Sequence, residues 1–165
     1  MANKANNIKV NIPEIIAVVC GVIGLAVYWV TSTTGYLAGQ GVNAAVLACG
    51  AVAVVALIAK ITLGSRLVAG GVAGGVLADL LLVGSEVLMI VAFAFFVLAR
   101  VRLAADIYFI PVNYPAAEET ALNISLIGVV AYAVAIIALI VKAFAKDRVA
   151  AGAAAADPRV AVIPA

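Results

Sequence analysis

The sequence predicts an all-α polytopic integral membrane protein: four transmembrane helices in one bundle, with both termini cytoplasmic. Three observations carry that prediction. The 165 residues are 67% hydrophobic and 11% charged, with mean hydropathy +1.27. A soluble domain is about half apolar and about a quarter charged, so this much apolar side chain needs a bilayer as its solvent. Apolar runs of bilayer-crossing length recur four times, separated by short stretches rich in Gly, Thr, Pro or charge. Basic residues are also spread unevenly around the ends of those runs. With four crossings, Lys4, Lys9, Lys60, Arg66, Lys142, Lys146, Arg148 and Arg159 fall on one side, against Arg100 and Arg102 on the other. The richer side is the cytoplasmic one.

Residues 1–12 read as a short polar inner tail. Pro13 and Glu14 suit the first turn of a helix, where a missing N–H costs little and a carboxylate meets the positive dipole end. The first span is expected over about 15–31, with Tyr28 and Trp29 as interface anchors at its far end. Lysines before an apolar run resemble a signal peptide. The run is long for an h-region, however, and no small-x-small cleavage site follows it. Residues 31–41 (TSTTGYLAGQG) form a tight uncharged loop, and the second span covers about 42–61.

Leu67 to Leu98 is the longest apolar stretch. As one helix it would measure about 48 Å against a hydrocarbon core of about 30 Å. The third span is therefore placed over about 77–98, with the Gly-rich lead-in at the inner interface. Residues 100–120 form a structured outer loop, its first part able to lie flat on the membrane and its Pro111–Pro115 middle extended. Pro115 followed by Glu118 and Glu119 marks the start of the next helix. The fourth span covers about 121–141. Residues 1–146 thus make a single membrane domain, and the Ala- and Pro-rich residues 147–165 a disordered tail.

Chemistry-bearing residues are few. There is no His, which removes the usual neutral-pH base and the commonest metal ligand. No nucleophile–base set, metal cluster or phosphate loop is present, so no catalytic residue, metal or cofactor is assigned. Net charge is only +2, which gives no reason to expect nucleic acid. Cys20 and Cys49 lie inside apolar runs at different expected depths and are read as small packed residues, not a disulfide. Asn123-Ile-Ser125 matches a glycosylation sequon too close to the membrane for use.

The unusual feature is a stripe on the third span. Gly70, Gly71, Gly74 and Gly75 form overlapping GxxxG spacings expected to pack helices, and Asp79 and Glu86 continue the same face. Lipid would not tolerate acids there at depth. Asp79 is expected near the inner interface, paired with Lys60 or Lys142. Glu86 is expected near the midplane with no cation at its level, hydrogen-bonded to Tyr132. On the outer loop, Arg100, Arg102, Tyr108 and Tyr114 are expected to form a docking surface.

The function these residues predict is that of a small non-enzymatic accessory or assembly subunit of a membrane complex. Its partners would be the bilayer and other membrane subunits or further copies of itself, in a bacterial plasma membrane. The alternative is a proton- or cation-coupled small transporter, working as an oligomer, with Glu86 as the titrating group.

Overall fold

The structure is a computed structural model that describes residues 2–69, 71–109 and 116–156. It is all-helical: α1 (Ala2–Thr33), a short 3-10 helix (Tyr36–Gln40), α2 (Ala44–Ala69), α3 (Val72–Phe109) and α4 (Ala116–Ala156). All four α-helices are long and apolar enough to cross a membrane. The side chains turned outward from them include Val52, Val55, Leu80, Val83, Ile127, Val130 and Ile137.

The helices run alternately up and down in a closed ring. α1 packs on α4 and α2, and α3 on α2 and α4. The start of α1 meets the ends of α2 and α4 through Glu14, Lys60 and Lys142. The end of α1 meets the far part of α3 through Thr31, Ser32 and Arg100. One end of the bundle therefore carries the beginning of α1 and the end of α4, and is called the termini end below.

The core follows steps of three and four along each helix. On α3 the buried positions are Ala78, Leu82, Ser85, Met89, Ala92, Phe96, Arg100 and Leu103. Among the described side chains of α1 they are Glu14, Ala17, Gly21, Gly24, Tyr28, Thr31 and Ser32. Alternating steps of this kind keep one seam facing its neighbours in a left-handed bundle. The seam on α3 lies one residue away from the expected stripe, so Ala78 and Ser85 face inward beside Asp79 and Glu86.

Several boundaries differ from those expected. α1 starts at Ala2 and runs through Pro13, so the polar lead is helical and Glu14 lies well inside the helix. α3 does not stop near Leu98 but continues to Phe109, so the first half of the expected outer loop is helix. Nothing in residues 99–109 breaks a helix: there is no Gly or Pro, and Leu, Ala and Arg are strong helix formers. α4 continues through the Ala-rich stretch to Ala156, where a disordered tail was expected from residue 147. Alanine has the highest helix propensity and needs no burial to stay helical at the end of a nucleated helix. Pro111, Tyr114 and Pro115, in the middle of the expected loop, lie outside the described residues, as does Gly70. α4 does begin at Ala116 with Glu118 and Glu119 in its first turn.

The glycine-rich lead-in makes the α2–α3 reversal. Gly71 has φ +89°, a conformation open to glycine at little cost. Its carbonyl accepts the Gly75 N–H at 3.1 Å. A Cβ on Gly74 would overlap the Leu67 carbonyl, which is backbone and cannot move aside. Of the glycines expected to pack helices, Gly74 is where α2 and α3 approach closely, and nothing lies within 4 Å of a Cβ built on Gly71 or Gly75. Gly74→Ala is expected to cost about 1–3 kcal/mol through strain at this turn, read as a lower melting temperature in detergent. Gly75→Ala should leave it unchanged.

Candidate functional site

Polar groups inside the bundle gather at its two ends, with a mostly apolar middle between them. At the termini end, the Glu14 side chain is fully buried. Its Oε1 accepts a close hydrogen bond from Lys60 Nζ and lies 3.1 Å from Lys142 Nζ. Three helices thus meet on one carboxylate oxygen. Its other oxygen, Oε2, is buried with no hydrogen-bond partner among the described residues. Lys60 or Lys142 was expected to pair with Asp79; both lysines converge on Glu14. The reason is helix phase. Glu14 faces inward on the α1 seam, whereas Asp79 sits one position off the α3 seam and is exposed.

In the middle of the bundle, Tyr132 is fully buried. Its ring packs edge-on to Phe96, with centroids 6.1 Å apart and planes at 86°. Its hydroxyl is buried without a hydrogen-bond partner among the described residues, so the expected Glu86–Tyr132 bond is not formed. Glu86 is half-buried, on the flank of α3 beside the buried Ser85. Ser85 satisfies itself, its hydroxyl donating to the Leu82 carbonyl at 2.7 Å. No hydrogen bond or ion pair reaches Glu86 from the described residues. Its helical neighbours Val83, Val87 and Ile90 are exposed and apolar. Cys20 and Cys49 are half-buried free thiols.

At the opposite end, Arg100 is 5% exposed. Its Nη2 donates to Ser32 Oγ at 2.7 Å and to Thr31 Oγ1 at 3.1 Å. Thr31 in turn donates its hydroxyl to the Val27 carbonyl at 2.7 Å, which leaves its oxygen free to accept. The guanidinium carbon sits 5.3 Å from the Tyr28 ring centre and 5.6 Å from that of Phe96. These two rings pack edge to face, 4.9 Å apart at 73°. Such cation–π contacts strengthen as water is removed. Tyr28 is therefore a core residue here, not the interface anchor its position suggested; the adjacent Trp29 is 51% exposed. The Tyr28 hydroxyl accepts the Asn43 N–H at 2.8 Å, which ties the segment before α2 to α1.

Of the residues expected to form a docking surface, Arg100 is buried, with its guanidinium on Thr31 and Ser32. Arg102 and Tyr108 are exposed, and Tyr114 lies outside the described residues. Glu118 is buried at the start of α4, with Oε2 unpartnered among the described residues, and Ser125 is buried while Asn123 faces out.

Glu14, Thr31 and Ser32 are the site residues that sequence reasoning missed. Their signal was the α1 spacing itself. Glu14, Ala17, Gly21, Gly24, Tyr28 and Thr31 step by three and four along one face, and every member is small, polar or aromatic. The branched residues Ile15, Ile16, Val19, Val22 and Ile23 occupy the outward positions.

No protein-family model, curated protein or solved structure matches this chain.

Proposed function

We propose that the protein is a non-enzymatic, multi-pass membrane subunit that assembles with another membrane chain through the Glu86 flank of α3. Supporting this is one observation above all. Glu86 is half-buried among exposed Val83, Val87 and Ile90, about one helical turn inside the level of Glu14, with no hydrogen bond or ion pair among the described residues. A carboxyl group at bilayer depth faces protein or water, not lipid. The partner that suits this flank is a transmembrane helix with small or branched apolar residues and a hydrogen-bond donor level with Glu86. The ring of four helices has a core filled by Leu57, Met89, Phe96 and Tyr132, which favours a packing role over a conduit through the bundle. The lysines gathered at the termini end favour placing that end in the cytoplasm.

The test is extraction in mild detergent followed by mass determination of the intact assembly. Wild type is expected at a mass above that of one chain, with a second membrane protein or a second copy bound. Glu86→Leu should weaken that assembly by about tenfold, since an interhelical hydrogen bond contributes about 0.6–2 kcal/mol. Glu86→Gln, which still hydrogen-bonds, should retain it. If both variants assemble as wild type while Glu86→Gln abolishes a gradient-dependent flux in reconstituted vesicles, the transporter reading replaces this one.

A further inference from the structure

Among the described residues, Arg100 has no counter-ion. Arginine stays protonated in any protein environment, and a buried cation is costly unless a charge of opposite sign or a full set of acceptors surrounds it. Among the described residues, no carboxylate forms an ion pair with Arg100. It has two hydroxyl acceptors, both on Nη2, and two ring faces. Its Nε is buried with no acceptor among the described residues.

Arg100 also lines an open pocket of about 510 Å³ between α1, the segment before α2, and α3. Arg102 lines the same pocket, together with the polar side chain of Asn43. Among the described residues, no acidic side chain contributes to its wall. The remaining wall is apolar in part, through Val42 and Leu98. Trp29, exposed one residue beyond Tyr28 on α1, marks the same end of the bundle as an interface level.

We propose that this pocket binds a phosphate group, presented by the headgroup of an anionic phospholipid. Two guanidiniums match phosphate geometry and can donate paired hydrogen bonds to it. The phosphate would supply the charge that the described residues do not give Arg100, Arg102 would close on it from the exposed side, and Val42 and Leu98 would meet the glycerol and upper acyl carbons. Basic pockets between transmembrane helices on the cytoplasmic side bind phospholipid headgroups, and the same charge complementarity would serve a pocket at the opposite end. The inference rests on the membrane insertion proposed above and goes beyond it by naming a ligand class.

The experiment uses the full chain from membranes washed in alkaline carbonate, purified in mild detergent and stripped of lipid. Thermal unfolding is followed while dioleoyl phosphatidylglycerol, dioleoyl phosphatidylcholine or inorganic phosphate is titrated in. Phosphatidylglycerol is expected to raise the melting temperature at mole fractions where phosphatidylcholine does not, with inorganic phosphate weaker than the lipid. Arg102→Gln, at an exposed position, should fold as wild type and need about tenfold more phosphatidylglycerol for the same rise. Arg100→Lys keeps the charge without the fork and should weaken the response further. Equal responses to phosphatidylglycerol and phosphatidylcholine, or an unchanged response in Arg102→Gln, would overturn the proposal. An equal response to inorganic phosphate would overturn the lipid as its source. A chain released by carbonate would sink membrane insertion itself and the lipid site with it, whereas an inserted chain without lipid selectivity sinks the pocket alone.

Discussion

Glu14→Gln is expected to destabilise the bundle by about 3–5 kcal/mol, the usual cost of removing one partner from a buried ion pair. Glutamine matches glutamate in size, so the loss would come from charge and not from a cavity. Lys60 and Lys142 both point at Glu14 Oε1, and the Lys142 and Glu14 side chains are 7% and 1% exposed. Without the carboxylate, two ammonium groups would face each other at the termini end with water largely excluded. In detergent this should appear as a melting temperature lower by on the order of 10 °C for a chain of this size. A second variant separates electrostatics from packing. Replacing the group as a whole, with Glu14→Met, Lys60→Met and Lys142→Met together, should recover much of the loss, because an apolar set of similar volume is often as stable as a buried ion cluster. If Glu14→Gln melts with wild type, the carboxylate does not hold α1, α2 and α4 together. If the triple variant is worse than the single one, the charges contribute stability beyond mutual compensation.

The helix count was legible in the sequence because hydropathy reports it directly, while the extent of the connection after α3 was not. Gly74 stood out among the glycines expected at close approaches, and Pro115 with Glu118 and Glu119 marked the start of α4. The inward face of each helix was not legible in the same way. A lipid-facing valine and a core valine look alike by composition, so a helix that crosses a membrane shows little contrast between its faces. On α3 the two acids were the only visible contrast, and they drew the predicted face one residue off the seam at Ala78, Leu82, Ser85 and Met89. Arg100 was misplaced for a related reason. A basic residue after an apolar run normally marks the membrane edge, yet α3 continues for nine residues beyond it and Thr31, Ser32 and two rings receive its charge inside. Those acceptors lie on α1, some seventy positions back in the chain, and no local pattern points to them.

The middle of the bundle should respond to size and not to polarity. Tyr132 lies flat against two glycines: a Cβ on Gly24 would sit 2.6 Å from its ring, and one on Gly50 would sit 2.5 Å from its hydroxyl. The ring cannot retreat, since Phe96 packs against it and against Tyr28. Gly24→Val is therefore expected to cost about 3 kcal/mol or more, at or above the upper end of ordinary overpacking, and to lower the melting temperature by on the order of 10 °C. Pairing it with Tyr132→Ala should restore part of the loss, because the removed ring makes room for the added methyls; a fully additive double variant would show that the two sites do not touch. Tyr132→Phe sets the opposite expectation. The hydroxyl is buried without a partner, and an unmet donor of that kind costs about 1–3 kcal/mol. Its removal should leave stability unchanged or raise it. Were the hydroxyl bonded to Glu86, the same substitution would instead destabilise the protein, and Glu86→Leu would add nothing further in the Tyr132→Phe background. The sign of that one change thus decides whether Glu86 is held inside the bundle or left for a helix of another chain.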